Sequence, residues 1–152
     1  MSKTLMTFAV VMALALGMTV LAGCGPGPNS LGVIAYDPTG LAFRHKMAGD
    51  NTLNIAVGLN GFESEIAHGH VDYIMHFDPI RADEWSPYWG LGLGYMMKLD
   101  DSVDNDDVGI ELRVPLGISY QAADGWDFFA QLAAHVGRNV GISGALGVRF
   151  DL

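Results

Sequence analysis

The feature that most constrains this chain is an alternation of period two, sustained over unusually long segments. In residues 108–121, Val108, Ile110, Leu112, Val114, Leu116, Ile118 and Tyr120 share one face. Gly109, Glu111, Arg113, Pro115, Gly117, Ser119 and Gln121 share the other. Alternation of this kind belongs to a strand whose two faces meet different surroundings, because successive side chains point to opposite sides. Residues 89–98, 126–136 and 142–152 repeat the pattern, and weaker versions run near 31–36, 41–47, 52–59 and 66–78. Turn signals separate them: Asp37-Pro38-Thr39-Gly40, Ala48-Gly49-Asp50-Asn51, Asn60-Gly61, Asp78-Pro79, Ala123-Asp124-Gly125 and Gly137-Arg138-Asn139. The expectation is an all-β chain of eight strands with seven connections and no helix.

A soluble sheet packed on one side also alternates, so the pattern alone does not place the strands in water or in lipid. Three features favour a transmembrane barrel. The later strands run to about 11 residues, and about 9–11 are needed to cross a bilayer at a tilt. Their polar face is mostly Gly, Ala and Ser with sparse charges of both signs, which suits a narrow lumen filled by side chains rather than a face open to water. On the apolar face, Phe77, Trp89, Tyr120, Trp126 and Phe150 all fall toward the rim that carries the chain ends, as an interfacial aromatic girdle would. Eight antiparallel strands in up-and-down order make the smallest common barrel of this kind.

Residues 1–23 stand apart. Lys3 and no acid precede the apolar run from Leu5 to Leu21, the layout of a secretory signal. The segment ends Leu21-Ala22-Gly23-Cys24, which resembles a bacterial lipoprotein signal. That resemblance makes Cys24 the lipidated first residue, and Gly25 after it favours the outer membrane. Residues 24–30 then read as a short Gly/Pro tether, and residues 31–152 as the barrel domain. Composition narrows the field further. Half the residues are hydrophobic and only 16% are charged, so the chain is not disordered. The single Cys excludes a disulfide scaffold, and a net charge of −9 argues against nucleic acid as a partner.

Asp37-Pro38-Thr39-Gly40-Leu41, the run from Gly109 to Tyr120, and Gly144-Ala145-Leu146-Gly147-Val148-Arg149-Phe150 resemble the BAPKO-type outer-membrane barrel domain. More broadly, the chain resembles the small OmpA- and OmpX-like barrels over roughly residues 31–152. The resemblance implies residence in the outer membrane of a Gram-negative-type bacterium, outer-membrane lipids as neighbours, and a lumen plugged by charges. The chain departs from the usual pattern in ending Phe150-Asp151-Leu152 rather than on an aromatic residue.

The candidate chemistry lies on the lumen face. Arg44, Lys46, Asp72, Glu111, Arg113, Asp127 and Arg149 nearly balance, and buried charges persist only when paired. A polar network of Arg44, Asp72, Glu111, Arg113, Asp127 and Arg149 is therefore expected, with Asp72 paired to Arg44, Arg113 or Arg149. His68, His70 and Asp72 share that face, and His76 and Asp78 continue it. A His-x-His pair suits a transition metal only if a third ligand comes across the barrel, and no closed ligand set is visible. No metal or cofactor is expected.

Asp100, Asp101, Asp104, Asp106 and Asp107 form an acidic loop without the Gly and terminal Glu of an EF-hand, so a solvated loop is expected. It is the natural surface for an extracellular partner. The glycines at 90, 92 and 94 read as small lumen residues, and Pro115 predicts a bulge. For catalysis, the outward face of the early strands offers only His45, while Ser119 and Ser143 point inward. The expected role is therefore structural or surface interaction by a monomer, without catalysis. The alternatives are a lipid-modifying enzyme, a narrow pore, and a soluble lipocalin-like periplasmic lipoprotein, which would need an apolar lumen.

Overall fold

A computed structural model describes residues 29–36, 38–59, 66–77, 79, 84–98, 108–122, 125–137 and 140–152. Residues 1–28, which hold the expected signal segment, Cys24 and most of the expected tether, lie outside the described residues, as do Asp78 and the acidic run at 100–107. Eight strands form: β1 (Asn29–Tyr36), β2 (Thr39–Lys46), β3 (Asn51–Leu59), β4 (Ile66–His76), β5 (Trp85–Lys98), β6 (Val108–Gln121), β7 (Trp126–Val136) and β8 (Val140–Asp151). Each pairs antiparallel with its neighbours in sequence, and β8 pairs with β1 to close the barrel. No α-helix occurs among the described residues.

The alternation is realised as an inside and an outside. On β6, Ile110, Leu112, Val114 and Leu116 are exposed, while Glu111, Arg113, Pro115 and Ser119 are buried. On β7, Trp126, Phe128 and Leu132 face out, and Asp127, Phe129, Gln131 and Ala133 face in. A small apolar cluster of Ile34, Ala42, Ala56, Phe129 and Ala145 fills part of the interior. The hydrophobic surface of this chain is thus mostly on its exterior, the reverse of a water-soluble domain.

Two local expectations are corrected. β5 begins at Trp85, four residues before Trp89, because Pro87 does not stop it: Pro87 is paired with Ile118 near the strand start, where the missing N–H costs least. Trp85, not Trp89, therefore packs against Tyr120 at the rim, with ring centroids 4.7 Å apart. Trp126 and Phe150 make the adjoining pair at 5.3 Å. The bulge expected at Pro115 is not there. Trp89 pairs with Leu116 and Gly92 with Arg113, so two residues are skipped on each strand and the register is unchanged. Pairing of Pro115 with Ala133 on the β7 side is intact. The missing N–H thus faces Gly90, and it opens the ladder without inserting a residue.

The wall is uneven in height. β1 and β2 have eight residues each, whereas β5 and β6 have 14. At about 3.3 Å per residue and a tilt near 40°, these heights are about 20 Å and about 35 Å.

Candidate functional site

The lumen holds two charge clusters, joined along β5–β7 by a neutral hydrogen bond. The lower cluster lies toward the chain ends. Asp127 on β7 receives Arg44 Nη1 at 2.9 Å from β2, and Arg149 Nε at 2.9 Å and Nη2 at 2.7 Å from β8. One carboxylate thus binds two guanidinium groups that would otherwise repel each other. Arg44 also donates to Ser30 Oγ at 3.1 Å and lies 3.3 Å from Asp151 Oδ1. Ser30 Oγ donates to Asp151 at 2.6 Å, and Lys46 Nζ reaches the same carboxylate at 3.2 Å. The guanidinium of Arg149 stacks over Phe129, 4.1 Å from the ring centroid, so its face is satisfied by π density and its edge by Asp127.

The upper cluster centres on Arg113, which is fully buried on β6. Its Nε lies 3.5 Å from Asp72 Oδ1, and its Nη1 lies 3.8 Å from Glu111 Oε1. Three imidazoles surround these carboxylates. His135 Nδ1 is 2.9 Å and His68 Nε2 is 3.4 Å from Glu111, and His70 Nε2 is 3.5 Å from Asp72. Between the clusters, Tyr88 Oη donates to Gln131 Oε1 at 3.1 Å. Gly117 pairs with both of these residues, four positions along the lumen face of β6 from Arg113 toward the chain ends.

Glycines make room for this interior. Asp72 is opposite Gly92, Ile74 opposite Gly90, Tyr88 opposite Gly117, Phe129 opposite Gly147, His135 opposite Gly141 and Arg149 opposite Gly32. A Cβ at Gly117 would fall within the Tyr88 ring, and one at Gly147 within the Phe129 ring. The long interior side chains therefore lie across the neighbouring strand at the positions where that strand has none. The alternating glycines at 90, 92 and 94 belong to this pattern.

The six residues expected as a polar network are all buried, but they meet as two groups rather than one. Arg44, Asp127 and Arg149 form the first, and Asp72, Glu111 and Arg113 the second. Of the three arginines considered for Asp72, Arg113 is the partner. Sequence reasoning left out Asp151, whose place two residues beyond Arg149 on the same face was the available signal. It also left out the contacts of His68 and His135 with Glu111. Among the described residues, no group of three or more His, Cys, Asp or Glu is arranged to hold a metal ion. His45 Nδ1 is engaged at 2.7 Å by Asn29 Oδ1, and Ser119 Oγ donates to the Ser86 carbonyl at 3.4 Å.

No family model and no curated protein matches the chain. Solved structures do. The N-terminal β-barrel domain of Pseudomonas aeruginosa OprF is similar at a TM-score of 0.61 and 20% identity, over 80% of this chain and 93% of that one. The Yersinia pestis outer membrane protein Ail, determined in a phospholipid bilayer nanodisc, is similar at 0.50 and 14%, over 82% and 98%. At these identities the likeness establishes architecture: the chain has the fold of small outer-membrane β-barrels.

Proposed function

We propose that this protein is an outer-membrane barrel of a Gram-negative-type bacterium with a structural or surface-interaction role. In this reading the lumen is a closed plug, and the protein is neither catalyst nor pore. The observation that carries the reading is the inversion of the fold. The exterior of the strands is an apolar wall, and Arg113, Asp72 and Asp127 are at most 1% exposed inside it. Charges so placed exclude an apolar ligand from the interior, which disfavours a soluble carrier of the lipocalin type. The two clusters contain Arg44, Lys46, Arg113 and Arg149 against Asp72, Glu111, Asp127 and Asp151, an even balance that a plug requires.

The remaining parts of the reading rest on sequence. Cys24 carries a lipid that anchors the N-terminus at the rim where the chain ends emerge, since only a few residues separate it from Asn29. The acidic loop at 100–107 lies on the opposite side and meets any extracellular partner. The barrel is a monomer surrounded by outer-membrane lipids. The test is conductance of the purified, folded barrel in a planar bilayer. The plug predicts a silent membrane, and discrete current steps would assign the protein as a pore instead.

A further inference from the structure

Among the described residues, the outer wall has a concave region along β6–β8. Along β6–β8 the register places Leu116 beside Leu132 and Leu132 beside Gly144. One step down, it places Ile118 beside Ala130 and Ala130 beside Leu146. Ala130 and Gly144 are thus small residues among large aliphatic ones. The resulting depression measures about 850 Å³, is framed by Leu116, Leu132, Ile142 and Leu146, and ends at Tyr36. Its size is that of a small-molecule site, and no charged residue lines it.

This depression coincides with the step in the wall. The highest pair between β1 and β8 is Tyr36 with Ala145, whereas β8 continues up to Val140 against β7. Among the described residues, β8 over 140–144 is therefore paired on one side only. Backbone groups left in that state at a membrane surface need a donor or acceptor from elsewhere. Tyr36 has a φ of 86°, a region that bulky residues rarely occupy. The turn holds it there: its N–H donates to Thr39 Oγ1 at 3.0 Å, and its side chain remains exposed at the end of the depression.

We propose that this notch is a lipid site. One acyl chain of a membrane lipid lies over Ala130 and Gly144, and the ester oxygens at its head accept hydrogen bonds from the β1-facing N–H groups of β8 above Ala145. The inference rests on the outer-membrane reading, because it takes hydrocarbon as the medium around the wall. Shape selects the occupant. A second barrel would present a convex wall and span the depression without filling it. A single flexible chain with oxygens at one end fills the apolar part and satisfies the strand edge above it.

The test uses the full chain, folded into vesicles of a single phosphatidylcholine, extracted in mild detergent and measured by native mass spectrometry. The barrel is expected to retain one phosphatidylcholine. Gly144→Leu and Ala130→Leu fill the depression and are expected to lose that lipid while keeping heat-modifiable migration on gels. A Cβ at Gly144 meets Leu132 at 3.4 Å and nothing nearer, so the fold accommodates the change. Should either variant not fold, the other decides. Ala134→Leu, outward on β7 but outside the depression, is expected to retain the lipid. A parent barrel free of lipid, or filled variants that hold as much as the parent, would overturn the inference and leave the membrane reading standing. Recovery of folded chain in aqueous buffer without vesicles or detergent would overturn both.

Discussion

Arg113 shows what burial does to a single charge. Its guanidinium is closed off from solvent between two carboxylates, so Arg113→Leu leaves Asp72 and Glu111 facing each other without a cation. Removing one partner of a buried pair costs about 3–5 kcal/mol, and a loss of that size is expected in a urea titration of the folded barrel. An unchanged midpoint would mean that Arg113 meets water. Asp127→Ala should cost about as much, because it leaves Arg44 and Arg149 unneutralised beside each other. The glycines separate into two kinds. Gly117→Val drives a side chain into the Tyr88 ring and should cost at least ~1–3 kcal/mol. At Gly109 a Cβ meets nothing, and Gly109→Ala should stay within about 0.5 kcal/mol of the parent. Comparing the two unfolding midpoints checks both; equal effects would refute the small-opposite-large packing. The interior membership of these residues was legible, because alternation fixes the face. Their partners were not. Which charge meets which depends on the stagger between strands, and period two carries no information about stagger.

At the level of elements, strand identity was legible wherever an apolar face persisted for several residues, and misjudged where proline intervened. The alternation marks β5 from Trp89, whereas the strand starts at Trp85 and contains Pro87. Pro115 looked like a bulge and is a gap in an otherwise unshifted ladder. In both cases a missing N–H weakens one hydrogen bond, while the neighbouring pairs and the alternating faces hold the register. This yields a direct prediction. Pro115→Ala restores a donor opposite the Gly90 carbonyl, so the new amide at 115 should exchange slowly with deuterium, as its neighbours do. Rapid exchange at that amide would show that the strands are parted there. The short β1 and β2 were also visible as weak patterns in the first half of the sequence. Their consequence, a step in the wall beside β8, needed the closed register to be seen.

For the whole molecule, the central claim is that an apolar wall around a charged, packed lumen is a membrane protein. The inversion was legible from long alternating strands whose polar face was too poor in charge to face water. Closure in up-and-down order was expected as well; the structure shows it and adds the register of each pair, and the likeness to OprF and Ail supports the architecture. The most direct measurement is the fractionation and gel migration of the protein from its own cells. The account predicts recovery in the outer-membrane fraction, detergent-dependent extraction, and a band whose mobility changes on boiling as the closed barrel opens. Recovery as a soluble protein without detergent, migrating identically before and after boiling, would contradict it.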